Sequence, residues 1–205
     1  MLDEKGFDLW ANKYDEAVGL SEESNEYPFA GYKKVLGTIF AEIMKRDHAK
    51  VLDLGFGTAT LTSKLYDNGF EIWGQDWSRQ MIEIAQAKMP TAKLFQGDFA
   101  NGLCSELKDE KFDFIVTTYS FHHVPYGKKR ELLQELLSHL SDSGMILIGD
   151  VAFENEDKRQ ACIERSGDAW DSEEAYEVYE DLKKNFPEMK FEEISHCAGV
   201  MKLSK

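Results

Sequence analysis

No stretch of this 205-residue chain approaches the roughly 18 consecutive apolar residues that a membrane helix needs, which excludes a helical membrane protein. The opening Met1-Leu2-Asp3-Glu4-Lys5 lacks the basic and apolar regions of a secretory signal, so a cytoplasmic location is expected. Cysteine is scarce: Cys104, Cys162 and Cys197 stand far apart with no Cys-x-x-Cys pair. That spacing points to reduced thiols and offers no zinc or redox centre. Positive charge is short as well, with 24 Lys and Arg against 38 Asp and Glu and a formal charge of −14. Nucleic-acid binders need Lys/Arg clusters to displace counterions from phosphates, so DNA, RNA and anionic membranes are disfavoured as partners. There is no internal repeat or low-complexity tract, and the length suits a single domain spanning residues 1–205.

What the chain does have is Val51-Leu52-Asp53-Leu54-Gly55-Phe56-Gly57-Thr58-Ala59, an apolar run that breaks into two glycines. Without polar alternation the run reads as a central parallel strand covered on both faces, and the glycines let backbone approach a ligand closely. A dinucleotide fingerprint, Gly-x-Gly-x-x-Gly, would need its third glycine at position 60, where Thr60 stands. A nicotinamide oxidoreductase is disfavoured on that ground.

Around this run the periodicities set out an order. Phe7, Trp10, Ala11, Tyr14 and Val18 predict one amphipathic helix, and Tyr32, Val35, Leu36, Ile39, Phe40, Ile43 and Met44 a second. Strands are then expected at 50–54, 71–75, 92–95, 112–117 and 144–150, with helices at about 58–68, 78–88 and 128–140. Such alternation builds βαβ units and an open parallel sheet whose ligands collect at the carboxyl ends of the strands. Two polar helices, at about 155–165 and 172–185, and a hairpin of 191–196 and 200–203 turning at Ala198-Gly199 complete the expectation. Residues 150–181 hold twelve acids and three bases, which reads first as a solvated helical face and second as an attractant for a cationic substrate.

Asp53-Leu54-Gly55-Phe56-Gly57-Thr58-Ala59 resembles motif I of the class I S-adenosylmethionine-dependent methyltransferases, with Ala59 in place of the last glycine and so one extra methyl expected near the cofactor. Asp76 ends the next strand 21 residues after Gly55, close to the roughly 20-residue offset at which a carboxylate reaches ribose hydroxyls. An ionised carboxylate only accepts, so one group serves both hydroxyls. Its alternative use is as a helix cap, which adjacent Ser78 can also supply. Gln96-Gly97-Asp98-Phe99 is similar to the family's Gly-Asp pair, whose carboxylate takes the adenine amino group.

The resemblance implies a cofactor site of Asp53, Gly55, Gly57, Asp76, Trp77, Asp98, Phe99 and Tyr119, with Trp10 and Tyr14 as its roof or, equally, as core. Tyr27 and Tyr32 are candidates for a substrate wall. His123, and after it His122, follow the fourth strand where the reacting methyl is expected; a neutral imidazole suits a proton acceptor, although one of an adjacent pair commonly packs or caps. The Asn/Asp-Pro-Pro-Tyr motif of many enzymes that methylate amide or base nitrogens is missing, which disfavours those acceptors. No metal is expected, since the His pair has no Cys or His at a familiar ligand spacing.

Within the family the chain looks most like the small bacterial YrrT-like methyltransferases. That resemblance implies a doubly wound, Rossmann-like α/β fold: a mostly parallel sheet of seven strands with an antiparallel last strand, two N-terminal helices as a cap (1–47), a cofactor-binding core (48–150) and a C-terminal part of acidic helices and hairpin (151–205). The implied activity is methyl transfer from S-adenosylmethionine to a small molecule. A non-catalytic S-adenosylmethionine sensor or regulator is the alternative from another class.

Overall fold

The structure, a computed structural model, describes residues 25–205; the expected helix around Trp10 and Tyr14 lies outside them. Helix α1, Tyr32–Ile43, buries Tyr32, Val35, Leu36, Ile39 and Ile43, the face that the periodicity marks. Met44 stands outside this face, 40% exposed.

Strands β1 (Lys50–Leu54), β2 (Glu71–Asp76), β3 (Lys93–Gln96), β4 (Phe112–Thr118) and β5 (Leu140–Phe153) alternate with helices α2 (Thr62–Asp67), α3 (Arg79–Lys88) and α4 (Tyr126–Ser138). After β5 come α5 (Glu156–Ser166), β6 (Glu177–Val178), α6 (Tyr179–Lys183), β7 (Lys190–Glu193) and β8 (Ala198–Ser204). The sheet runs β3-β2-β1-β4-β5-β8-β7, with two-residue β6 beside β5. β1 to β5 pair in parallel, and β8 lies antiparallel between β5 and β7. The seven-strand expectation with an antiparallel last strand therefore holds, and β6 is an addition to it.

β1 is buried at its last four positions. Val51 joins one core cluster with Val35, Ile39 and Ile43, while Leu52 and Leu54 join the other with Leu133 and Leu136. A strand sandwiched in this way is apolar on both faces, and Asp53 is the exception in β1.

Four expectations change. The helix expected at 58–68 starts only at Thr62, because Ala59 sits at φ 60° and the chain does not turn helical until it is past that residue. Ala59 is wholly buried in the core, and its methyl is not among the groups that line the cavity at the carboxyl ends of the strands. The helix expected at 172–185 shrinks to α6, preceded by extended backbone whose Ala175 N–H donates to the His122 carbonyl at 3.0 Å and whose Glu177 pairs with Ala152. Consecutive burial of Ala175, Tyr176, Glu177 and Val178 needs that extended form. The final hairpin turns at 194–197, and Ala198 and Gly199 lie within β8. Gly199 is glycine to make room: a Cβ there would sit 2.3 Å from the Phe191 ring.

At Gly55, φ is +69° and a Cβ would fall 2.6 Å from Ser120. Left-handed backbone costs a side chain about 1–2 kcal/mol and overpacking adds about 1–3, so Gly55→Ala is expected to lose about 3 kcal/mol. Ala59→Gly relieves left-handed strain but loses a buried methyl worth about 0.8 kcal/mol and gains unfolded-chain entropy, leaving it within about 1 kcal/mol of the parent. Urea midpoints at unchanged m-value check both; equal losses in the two variants contradict this account.

Candidate active site

Turns at the carboxyl ends of β1, β2, β3 and β4 surround a cavity of about 310 Å³. Its floor is the glycine turn. The Gly55 N–H donates to the Gln75 carbonyl at 2.8 Å, which docks the turn on β2. The Gly57 N–H donates to Asp76 Oδ2 at 2.8 Å, and the Ser78 N–H to Asp76 Oδ1 at 2.9 Å. Ser78 itself caps α3 by accepting the Met81 N–H at 3.2 Å, so the capping role belongs to Ser78 and Asp76 is left to brace two turns. Gly57 has φ +53° and, among the described residues, no atom within 4 Å of a would-be Cβ, on the cavity side.

Asp98 occupies the next wall. Its carboxylate accepts the Ala100 N–H at 2.9 Å and the Asn101 amide at 2.6 Å, fixing a single helical turn, Phe99–Asn101, whose three residues also line the cavity. Gln75 stitches this loop to β2, donating to the Gly102 carbonyl at 3.2 Å and accepting the Cys104 N–H at 2.9 Å. Nothing in a lone Gln inside a strand announces that role.

Beneath these groups Asp53 is 2% exposed, and its Oδ1 has no hydrogen-bond partner among the described residues. Burial pushes its carboxyl up to about 7; the Thr62 hydroxyl opposes the shift and the Asp76 charge adds to it. An acceptor both buried and orphaned beside a cavity marks a place where a ligand donor completes the structure.

The opposite wall comes from the end of β4. Ser120 donates to the Leu54 carbonyl at 2.9 Å and shares a 2.7 Å bond with Thr117, locking β4 to β1. Tyr119 is held at φ 51° with its ring 5.4 Å from Phe29 and 5.0 Å from Tyr32. A bulky residue in left-handed backbone at a cavity wall is strain of the kind that active sites retain. Trp77, Tyr119 and Tyr32 all line the cavity. Tyr27 does not: it stacks on Trp170 at 5.2 Å, accepts the Asp171 N–H at 3.2 Å and bonds the Tyr176 hydroxyl, so it pins the acidic segment. Trp10 and Tyr14 lie outside the described residues.

The histidine pair divides. Phe121–His123 form a single helical turn, which sends adjacent side chains different ways. His123 lines the cavity, whereas His122 turns to Asp150 within β5, with its Nδ1 2.6 Å from Oδ1 and its backbone N–H donating to Oδ2 at 3.1 Å. His123 Nδ1 lies 3.0 Å from Glu174 Oε2, a partner 51 residues later that spacing along the chain could not reveal. Burial and then the His122 ring push the His123 imidazole below its ordinary value, against the opposing pull of Glu174 and Asp150. His122, His123 and Glu174 bring ligand atoms within 4.8 Å of one another, and both Nδ1 atoms there face carboxylates.

The acidic segment is therefore only partly a solvated face. Asp150, Glu174 and Glu177 turn inward, to His122, His123 and Lys129. Lys129, 1% exposed in its side chain, ion-pairs with Glu177 at 2.8 Å and donates to the Ala175 carbonyl.

A model of the methyltransferase domain matches residues 51–144. The chain is 34% identical over 182 residues to an uncharacterized methyltransferase of Alkaliphilus oremlandii, covering 89% of this chain and 81% of that protein. It is 30% identical over 212 residues to the uncharacterized methyltransferase YrrT of Halobacillus halophilus, covering 97% and 95%. Among solved structures, a DhpI-SAM-HEP complex superposes with a TM-score of 0.68 at 15% identity, over 97% of this chain and 94% of that one, a likeness of fold.

Because the folded-state carboxyl of Asp53 lies at about 7 against 3.8 for the free group, the ligand-free protein holds that proton more tightly than the unfolded chain. Stability from this group is present below about pH 4 and is lost as pH rises to 7, a slope worth about 4 kcal/mol in all. Asp53→Asn is expected to gain on the parent by that order between pH 4 and pH 8 in urea titrations. Parallel pH profiles contradict the assignment.

Proposed function

The chain belongs to the methyltransferase family of these relatives, and from that premise we propose that it transfers a methyl group from S-adenosylmethionine to a small molecule. Bound S-adenosylmethionine supplies a methyl group activated by sulfonium, whose carbon–sulfur electron pair returns to sulfur on transfer. The observation that carries the reading is one cavity walled by Asp76, Asp98 and the orphaned Asp53.

Asp76 is assigned the ribose hydroxyls. A carboxylate has about four acceptor sites, so bracing two backbone N–H groups is compatible with that work. Asp98 is assigned the adenine amino group, with Phe99 and Trp77 against the ring system. Asp53 offers a buried acceptor to a cationic part of the ligand, and a bound positive charge would draw its carboxyl back down. Gly57 gives backbone a close approach on its open side. The residues thus fit the cofactor on chemical grounds.

His123, kept neutral near pH 7 by burial, is assigned the proton of the attacking atom, with Tyr32 and Tyr119 forming the wall beside it. With the cofactor bound, His123 would take the proton that the nucleophile releases as it accepts the methyl group and the carbon–sulfur pair returns to sulfur. Exclusion of water from an aromatic wall and alignment of the two reactants supply the remaining catalysis. A small acceptor in the cytoplasm suits both the cavity volume of about 310 Å³ and a net charge of −14, which disfavours polyanions.

Calorimetry with S-adenosylhomocysteine tests the assignment. Loss of two hydrogen bonds to a charged group is worth about 3 kcal/mol or more, so Asp76→Ala is expected to weaken binding at least about 100-fold. His123→Ala is expected to bind within about 3-fold of the parent, because it is assigned to the proton and not to the cofactor. Undiminished binding by a folded Asp76→Ala protein sinks the site.

A further inference from the structure

Resting on the methyl-transfer reading above, we propose that Glu174 is a positioning residue for His123, holding the imidazole proton on Nδ1 so that the unprotonated Nε2 serves the reaction. An ionised carboxylate has no proton to give, so the 3.0 Å contact between Glu174 Oε2 and His123 Nδ1 requires the hydrogen to sit on Nδ1. A neutral imidazole carries one N–H, so Nε2 is then an acceptor. Without such a partner a histidine side chain in water favours the opposite tautomer, with the proton on Nε2, which is useless for taking a proton there.

Glu174 is ionised by its surroundings. Burial works to raise its carboxyl, but the lowering effects, led by the hydrogen bond from His123, outweigh it and hold the group below its usual range. Its place is also built. The next residue, Ala175, donates its N–H to the His122 carbonyl at 3.0 Å and gives its own carbonyl to Lys129. The Tyr176 carbonyl accepts the Tyr126 hydroxyl at 2.8 Å, and the Tyr176 hydroxyl bonds Tyr27. Glu177 ion-pairs with Lys129 at 2.8 Å and pairs along β5 at Ala152. A carboxylate standing at the head of so many anchors has little freedom to leave its imidazole.

The neighbouring pair obeys the same logic without serving the same end. Asp150 fixes Nδ1–H on His122, but His122 is turned away from the cavity, and its ring, 4.1 Å from that of His123, adds repulsion if it is charged. Besides burial, the titratable groups acting on His123 among the described residues are His122, Glu174 and Asp150, with Lys129, Glu177, Tyr176 and Tyr27 behind them. In the reaction Glu174 also stabilises the imidazolium that forms when Nε2 takes the proton. The class of acceptor this arrangement serves arrives with a proton on its attacking atom: a thiol, a hydroxyl or an ammonium group.

The test is a two-bond proton–nitrogen correlation spectrum of the full-length protein labelled with nitrogen-15 in histidine, at about pH 7.5, where free histidine is neutral. His122→Gln and His123→Gln assign the signals. In the parent, His123 is expected to show a protonated Nδ1 and an unprotonated Nε2. Glu174→Ala is expected to move the proton to Nε2 and to lower the His123 titration midpoint, since a stabilising negative charge is gone. Glu174→Gln keeps an oxygen acceptor, so it is expected to restore the parent tautomer while leaving the His123 midpoint low; the His122 tautomer, held by Asp150, is expected to stay the same in both. A parent His123 protonated on Nε2, or a His123 tautomer indifferent to Glu174→Ala, overturns the proposal. If Glu174→Ala does not fold, the parent tautomer and the midpoint of Glu174→Gln decide. S-adenosylhomocysteine binding measured on the same samples separates the two readings. Normal binding with an indifferent tautomer removes only the role of Glu174, and loss of binding in the parent with the expected tautomer removes only the cofactor site.

Discussion

A carboxylate that accepts a backbone N–H from each of two turns makes one rigid body of them, and Asp76 does this between the turn after β1 and the turn after β2. The remaining walls depend on that junction. Gly57 reaches Asp76 only because Gly55 has already taken the chain through a left-handed turn, and Gly55 clears Ser120, which ties β4 to the same place. Gln75, one residue before Asp76, carries the constraint on to the loop that presents Asp98 and Phe99. The ends of β1, β2 and β4 and the loop after β3 thus meet through short polar links, where an open parallel sheet gathers ligands.

Electrostatics divides the molecule in two. On the glycine side the acids Asp53 and Asp76 are close enough for one to raise the other, which prepares a site for a ligand bearing positive charge and hydroxyl donors. On the other side the acids Asp150, Glu174 and Glu177 each meet a histidine or lysine. The cavity lies between the acids Asp53 and Asp76 on one side and the paired acids on the other. His123 stands on the border, drawn toward neutrality by burial and oriented by a carboxylate from the far segment.

The sheet was legible in the sequence because central parallel strands have apolar residues on both faces, and Val51–Leu54 and Phe114–Val116 betray themselves by length and composition alone. The acids at positions 53, 76 and 98 were legible because they stand within β1, at the end of β2 and just after β3, where the resembled motifs carry them. Other features were hidden for physical reasons. Ala59 looks like a substituted ligand contact, yet the turn directs its methyl into the core. The acids of 172–177 look like a polar helix, yet buried Lys129 and the edge of β5 draw that backbone into an extended path. Glu174 reaches His123 only after that path is taken, so the pair belongs to tertiary structure and leaves no periodicity behind. Tyr27 looked like part of a substrate wall because aromatic residues suit both walls and anchors, and the packing of Trp170 and Tyr176 made it an anchor.

The central claim is that one cavity holds adenosine between Asp76 and Asp98 with its reactive end toward His123. A crystal structure grown with S-adenosylhomocysteine tests this most directly. The account predicts both ribose hydroxyls within about 3 Å of the Asp76 carboxylate, the adenine beside Asp98 and Phe99, and the sulfur on the side of Tyr119 and His123. Adenosine bound in the reverse sense, with its base against His123, or bound outside this cavity, contradicts it.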